Sequence, residues 1–254
     1  MPRHVLLNNI EHKNLKVVTR YAPEFGDDVH AVPVFPTEFG DVQREYPILF
    51  RKEADTGRFQ SVALLGLEKG ENLHLKDGRW NASYVPGIVA RGPFLIGFQE
   101  REIDGQLRRE PVIHLDMDSP RVNETEGEPL FLEHGGNAPY LKQVAGILRG
   151  IQDGMAVAGT MFAAFETYEL IEPVNIEIDV HDDVHYVLRG FHTVSEEKLT
   201  QLDGVALERL NKAGFLRGAF LVVQSLNNIG RLIELKRQRV LERCARAGIA
   251  GMNA

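Results

Sequence analysis

Residues Glu68–Phe94 read EKGENLHLKDGRWNASYVPGIVARGPF, and the reading of this stretch decides how the rest of the chain is organised. It holds the only tryptophan, Trp80, together with Tyr84, Phe94, Arg79 and Arg91, all set among prolines and glycines. Lys76-Asp77-Gly78-Arg79 predicts a tight hairpin turn, because Asp-Gly tolerates the positive φ that a type I′ turn demands and that turn matches the twist of its strands. Pro86 and Pro93 then interrupt regular pairing, since neither can donate to a ladder. Aromatic and guanidinium groups on an irregular, strand-supported segment suit a recognition surface. The same residues also allow Trp80 and Tyr84 to cap a small β core while the arginines face water.

Working outward, Tyr46-Pro47-Ile48-Leu49-Phe50 and Ala63-Leu64-Leu65-Gly66-Leu67 precede the stretch. Glu126-Gly127-Glu128-Pro129-Leu130-Phe131, Leu188-Arg189-Gly190-Phe191 and Gln224-Ser225-Leu226 follow it. With Glu71-Asn72-Leu73, Asp77-Gly78-Arg79-Trp80, Tyr84-Val85-Pro86 and Arg91-Gly92-Pro93-Phe94, these motifs in fixed order resemble the SapC family nearly end to end. One departure stands at Gly92, where the family usually carries a tyrosine before Pro-Phe. The resemblance implies a setting rather than a reaction. The family name comes from a bacterial surface-layer locus, and members tend to be encoded near TonB-dependent receptors, tryptophan halogenases and cupin-like oxygenases.

The 254 residues can bury a substantial core, and 43% hydrophobic with 26% charged residues is an ordinary globular balance. A net charge of −7 argues against a nucleic-acid or anionic-membrane surface, which needs a basic face. The single cysteine, Cys244, excludes an intrachain disulfide and fits a reducing compartment. The N-terminus lacks a secretory signal pattern, with Asn8-Asn9 and Glu11 directly after Val5-Leu6-Leu7, and no stretch nears the ~18 apolar residues of a membrane span. The expected location is the cytoplasm.

Residues 1–118 read as a β-rich half. Asn8–Val18 holds a short strand, Pro47–Arg51 pairs with Phe59–Leu65, and Phe94–Phe98 returns as Pro111–Asp116 through a turn at Ile103-Asp104-Gly105-Gln106. Phe94, Ile96 and Phe98 fall on one face of their strand. Ser119–Asn137 is acidic and long for a bare connector, so it is expected to pack through Leu130-Phe131-Leu132.

Residues 119–254 read as a helix-rich half with a β-hairpin at about 172–194. Leu141, Val144, Leu148, Ile151, Met155, Phe162 and Phe165 recur at helical spacing and predict a helix over about 139–170. Gly146, Gly150 and Gly154 lie on one face of it and suggest close approach of another backbone, a break in the helix, or a ligand groove. Ser195 is the expected N-cap of a further helix. The segment from about 205 to 247 reads as helical, with Phe215–Ala247 one long final helix whose late basic residues, Lys236–Arg239, complement its dipole. The fold expected is a single α+β domain over 1–254, an antiparallel sheet with strands from both halves packed by the helices at about 139–170 and 205–247.

Candidate chemistry is sparse. His114-Leu115-Asp116 puts two potential ligands on one strand face, as iron(II)/2-oxoglutarate oxygenases do, with His181 or His185 as third ligand and Arg189 for the cosubstrate. A long helical segment between them opposes that reading, and His181-Asp182-Asp183 shows how readily the pattern arises among nine histidines. No phosphate-binding loop, dinucleotide fingerprint, Cys-x-x-Cys or nucleophile elbow is present. Arg91 and Glu128 could pair with each other, or either could face a cleft and anchor a ligand's carboxylate or amine.

The favoured reading is a non-catalytic accessory protein that needs no cofactor or metal. It recognises a peptide, an amino-acid-like ligand or a protein partner through Arg79, Trp80, Tyr84, Arg91, Phe94 and Glu128, with no nucleic acid and no membrane insertion, and its oligomeric state is open. The rivals are a metal-dependent or peptide-modifying enzyme and a surface-layer assembly component.

Overall fold

The computed structural model describes residues 3–103, 106–181 and 184–252. The fold is α+β, with every strand pairing antiparallel. It divides into two compact units, Met1–Asp27 with Gly87–Asp153, and Asp28–Pro86 with Gly154–Ala254. The helix Pro139–Thr167 contributes its first half to one unit and its second half to the other.

In the first unit, the strands His4–Leu6, Gln106–Asp116 and Phe94–Ile103 form one sheet in that order. The expected hairpin is present and runs further than its apolar core, pairing as far as Ile103 with Gln106; Asp104 and Gly105 of the expected turn lie outside the described residues. Phe94 is fully buried and Ile96 packs against the same core, whereas Phe98 emerges into solvent beneath the Arg109 guanidinium, 4.3 Å from its ring centre. A smaller sheet sets Lys16–Val17 between Val122–Asn123 and Glu128–Pro129. The acidic connector is therefore packed as expected, through Leu130, which is buried, and Phe131, which packs half-buried against the same core, while Leu132 is exposed. Leu15, Val17, Phe94, Leu115, Leu130, Leu141, Val144 and Leu148 make this unit's core.

In the second unit, five strands run in the order Ile171–His181, Val184–Val194, Ile48–Lys52, Phe59–Leu64, Ala31–Pro33. Phe191 sits opposite Arg51 and His192 opposite Phe50, so strands from both halves of the sequence meet in one ladder. Asp77 and Gly78, at φ 51° and 73°, make the expected turn between Leu75–Lys76 and Arg79–Trp80.

The C-terminal helical segment departs from one long rod. It forms Gly204–Lys212, Phe215–Ser225 and Asn228–Met252. The break after Ser225 has a tertiary cause: the Ser225 hydroxyl donates to Val222 O and accepts the Ile48 N–H, and the Asn228 amide donates to Gln43 O at 2.7 Å. Ser195 precedes the helix Glu196–Thr200 without a side-chain cap, whereas Asp203 caps the next helix by accepting the Ala206 N–H at 2.7 Å.

Of the three glycines singled out in Pro139–Thr167, only Gly154 is closely approached. A Cβ there would lie 2.4 Å from Phe35 Cβ, while Gly146 and Gly150 face nothing within 4 Å. The helix is unbroken, because one tight contact and two open positions cost less than interrupting its hydrogen bonds. Among the described residues no helix is long and apolar enough to cross a membrane.

Candidate functional site

The motif stretch is divided between the two units, and its residues have separate fates. In the second unit Trp80 is buried, and its indole N–H donates to Tyr46 Oη at 2.7 Å. Tyr46 in turn donates to the carbonyl of Tyr84. The Tyr84 hydroxyl donates to Glu38 Oε2 at 2.7 Å, and the N–H groups of Ser83 and Tyr84 both donate to Glu45 Oε1. Arg231 closes the chain on Glu45 Oε2 at 3.2 Å. Burial, followed by the Glu38 carboxylate, pushes the Tyr84 phenol up, so it stays protonated and donates. The Trp80–Tyr84 network is thus satisfied internally and holds the segment 80–86 in place. Arg79 is exposed at the neighbouring turn.

In the first unit Phe94 is wholly buried, with Tyr140 edge-on at 6.1 Å. Arg91 follows the single-turn helix Gly87–Ala90 and donates from Nη1 to the carbonyl of Phe94. Burial lowers the Arg91 pKa. Arg91 and Glu128 make no ion pair with each other: the former is turned to its own turn, and the latter stands on the strand Glu128–Pro129.

Glu128 does face a cleft. A cavity of about 390 Å³ is lined by Val18, Thr19, Tyr21, Val89, Ala90, Gly92, Arg121, Glu128, Pro139, Tyr140 and Gln143, all of the first unit. Local chemistry explains each wall. Gly127 has φ +105°, and a Cβ there would lie 2.2 Å from Val17 O, so only glycine lets the chain close against Lys16–Val17 and set Glu128 at the cavity. Pro139 and Tyr140 open the long helix, which brings Gln143 round onto the same side. Gly92 leaves open space that a side chain would fill; the Tyr140 hydroxyl lies 3.5 Å from the place of its missing Cβ.

Arg121 forms part of the wall, but its charge is spoken for. Nη2 donates to both Asp27 oxygens at 2.8 and 2.6 Å, and Nη1 donates to Val18 O and Arg20 O at 3.0 and 2.7 Å. Its guanidinium also lies over the Phe25 ring at 4.4 Å. Glu128, by contrast, is exposed, and its side chain makes no ion pair or hydrogen bond among the described residues. Burial raises the Tyr140 phenol to about 12 and raises Tyr21 as well, so both rings are neutral hydroxyl donors at ordinary pH. The cavity therefore combines an unpaired carboxylate, two neutral phenols, an amide and an apolar wall.

Of the six residues singled out in the sequence, Glu128 lines this cavity and Phe94 packs behind it against Tyr140. Tyr21, Arg121, Tyr140 and Gln143 carried no motif signal. Gly92, visible in the sequence as a departure from the family pattern, is the one hint that pointed here.

The residues of the His-x-Asp reading are divided between the two units. His114 covers Gly97, its Nδ1 only 2.0 Å from where a Cβ would sit, and belongs to the first unit. His185 and Arg189 belong to the second, where His185 Nδ1 meets Asp179 Oδ1 at 2.7 Å in solvent. Asp182 and Asp183 lie outside the described residues. Among the described residues no group of three or more His, Cys, Asp or Glu is placed to hold a metal ion.

The SapC family model matches residues 7–232, and the chain belongs to that family. Neither a curated protein nor a solved structure matches it.

Proposed function

We propose that this SapC family protein is a non-catalytic binding or accessory protein of the cytoplasm. It takes a peptide end, a modified amino acid or an exposed segment of a protein partner, and it uses no cofactor. The observation that carries this reading is the cavity of about 390 Å³ with Glu128 unpaired in its wall. That volume lies toward the lower end of ligand pockets, roughly 300–1,000 Å³, and suits a residue or two rather than a folded surface. Neutral phenols, an amide and one carboxylate around an apolar wall fix a ligand's orientation without supplying a nucleophile and base in contact.

Calorimetry or ligand-observed NMR with a panel of amino acids and short peptides tests the reading, alongside Ala90→Trp, which fills the cavity from the short helix. Saturable binding by the native protein, lost in a folded Ala90→Trp variant, is the expected result. Binding that survives a filled cavity moves the site elsewhere. Chemical turnover of a bound peptide would place the protein among enzymes. Recovery of most of the protein in the cell envelope on fractionation would favour a role in surface-layer assembly.

A further inference from the structure

We infer that the cavity of the first unit selects its ligand by a protonated primary amine, the α-ammonium of an amino acid or of a peptide N-terminus. The inference rests on the binding role proposed above and names the chemistry that role would recognise.

Two charged side chains line the cavity, Arg121 and Glu128. Arg121 is buried, is matched by Asp27 through two hydrogen bonds, and spends its other terminal nitrogen on the carbonyls of Val18 and Arg20. An incoming carboxylate would have to compete with Asp27 for a guanidinium already saturated at both ends. Glu128 has no such partner among the described residues, so the uncompensated charge in the wall is negative. A cation entering beside it gains a charge-assisted hydrogen bond.

The Tyr140 ring favours the same ligand. Tyr140 lines the cavity and keeps its proton, so an ammonium can meet the negative face of a neutral ring there, whereas the Tyr21 ring already carries the Arg121 guanidinium 5.7 Å from its centre. The first turn of Pro139–Thr167 is a poor anion site. Its capacity is reduced, because Pro139 has no N–H and the Lys142 N–H is taken by Ala138 O at 3.1 Å. Gly92, Val89, Ala90 and Val18 leave space and apolar surface for the side chain next to the amine.

The test compares three probes by calorimetry on the full chain: phenylalanine, alanyl-phenylalanine and N-acetyl-alanyl-phenylalanine. Acetylation removes the positive charge and leaves the remainder intact. The expected result is binding of alanyl-phenylalanine, weakened about tenfold or more by acetylation and by Glu128→Gln alike, with Glu128→Gln having little effect on the acetylated probe. Glu128 is exposed, so the variant keeps its fold, and a circular dichroism spectrum checks that. Binding of phenylalanine as tight as the dipeptide identifies a free amino acid as the ligand class; tighter dipeptide binding identifies a peptide N-terminus. Equal affinity for the free and acetylated dipeptides, abolished by Ala90→Trp, overturns the amine inference while leaving the cavity as a binding site. Absence of binding by any of the three probes overturns the inference, and a wider panel that also fails overturns the binding role itself.

Discussion

Lys236 Nζ lies 2.8 Å from Glu71 Oε1 across 165 residues of chain, and both side chains are almost fully buried. The same ammonium reaches Glu68 at 3.0 Å, while the other Glu71 oxygen accepts the Leu67 N–H at 3.1 Å. Three residues on, Arg239 donates to the carbonyls of Asn72 and Leu75 at 2.8 and 2.6 Å. The basic run of the final helix therefore clamps the motif stretch. It does not serve chiefly to complement a helix dipole, because the helix continues to Met252 and these residues lie near its middle.

Removing the ammonium should be costly. Lys236→Met leaves the Glu71 carboxylate buried without its counter-charge, and the expected loss is about 3–5 kcal/mol in urea denaturation. The double variant Lys236→Met with Glu71→Gln removes both charges and should recover a large part of that loss. Equal destabilisation in the single and double variants would show that packing, not charge, dominates the contact.

Trp80 reports on the hydrogen-bond chain through Tyr46. Its buried indole should emit at shorter wavelength than a solvated tryptophan, and as the only tryptophan it does so without background. Tyr46→Phe strands the indole N–H and releases the Tyr84 carbonyl, for an expected loss of about 1–3 kcal/mol. Emission already at the solvated position in the native protein would contradict the buried placement.

His74 links stability to pH. Its ring is 1% exposed and lies between Tyr46, at 4.7 Å, and Trp80, stacked at 6.5 Å. Among the described residues neither ring nitrogen has a hydrogen-bond partner. Burial, then the Arg231 charge, pulls its pKa down from 6.5 to about 4. The unfolded chain therefore binds the proton more readily than the folded one, so stability is full above pH about 6.5 and falls as pH drops toward 4. The gap corresponds to a loss on the order of 3 kcal/mol. His74→Leu should flatten that part of the pH profile, and an unchanged slope would remove His74 as its source.

The glycines of the long helix should respond in opposite directions. Gly146→Ala meets open space and should stabilise by up to about 1 kcal/mol through helix propensity. Gly154→Ala drives a methyl into Phe35 and Thr37 Oγ1, at 2.4 and 2.6 Å, and should destabilise by about 1–3 kcal/mol. Thermal denaturation of the two variants side by side checks both signs, and a shift of the same sign in both would contradict the packing at Gly154.

What the sequence determined by itself was local. Asp77-Gly78 specified its turn because positive φ at adjacent positions is a property of those two residues. Leu141, Val144 and Leu148 announced a helix and its buried face through spacing alone, and all three are core. Ordered motifs identified the family over 7–232. The tertiary structure decided whatever depended on partners distant in the chain. Spacing shows that a face is apolar but not what covers it, so the ladder joining Val184–Val194 to Ile48–Lys52 had to come from the fold. The helix break after Ser225 followed from a hydrogen bond to Ile48, 177 residues away, which helical periodicity cannot register. The candidate site followed the same rule. Trp80 and Arg91 are eleven positions apart yet belong to different units, while Tyr21 and Tyr140 line one cavity with Glu128. Whether a charge is a structural clamp or an open anchor depends on its neighbours in space, and only the folded chain supplied Arg121 with Asp27 and left Glu128 unpaired.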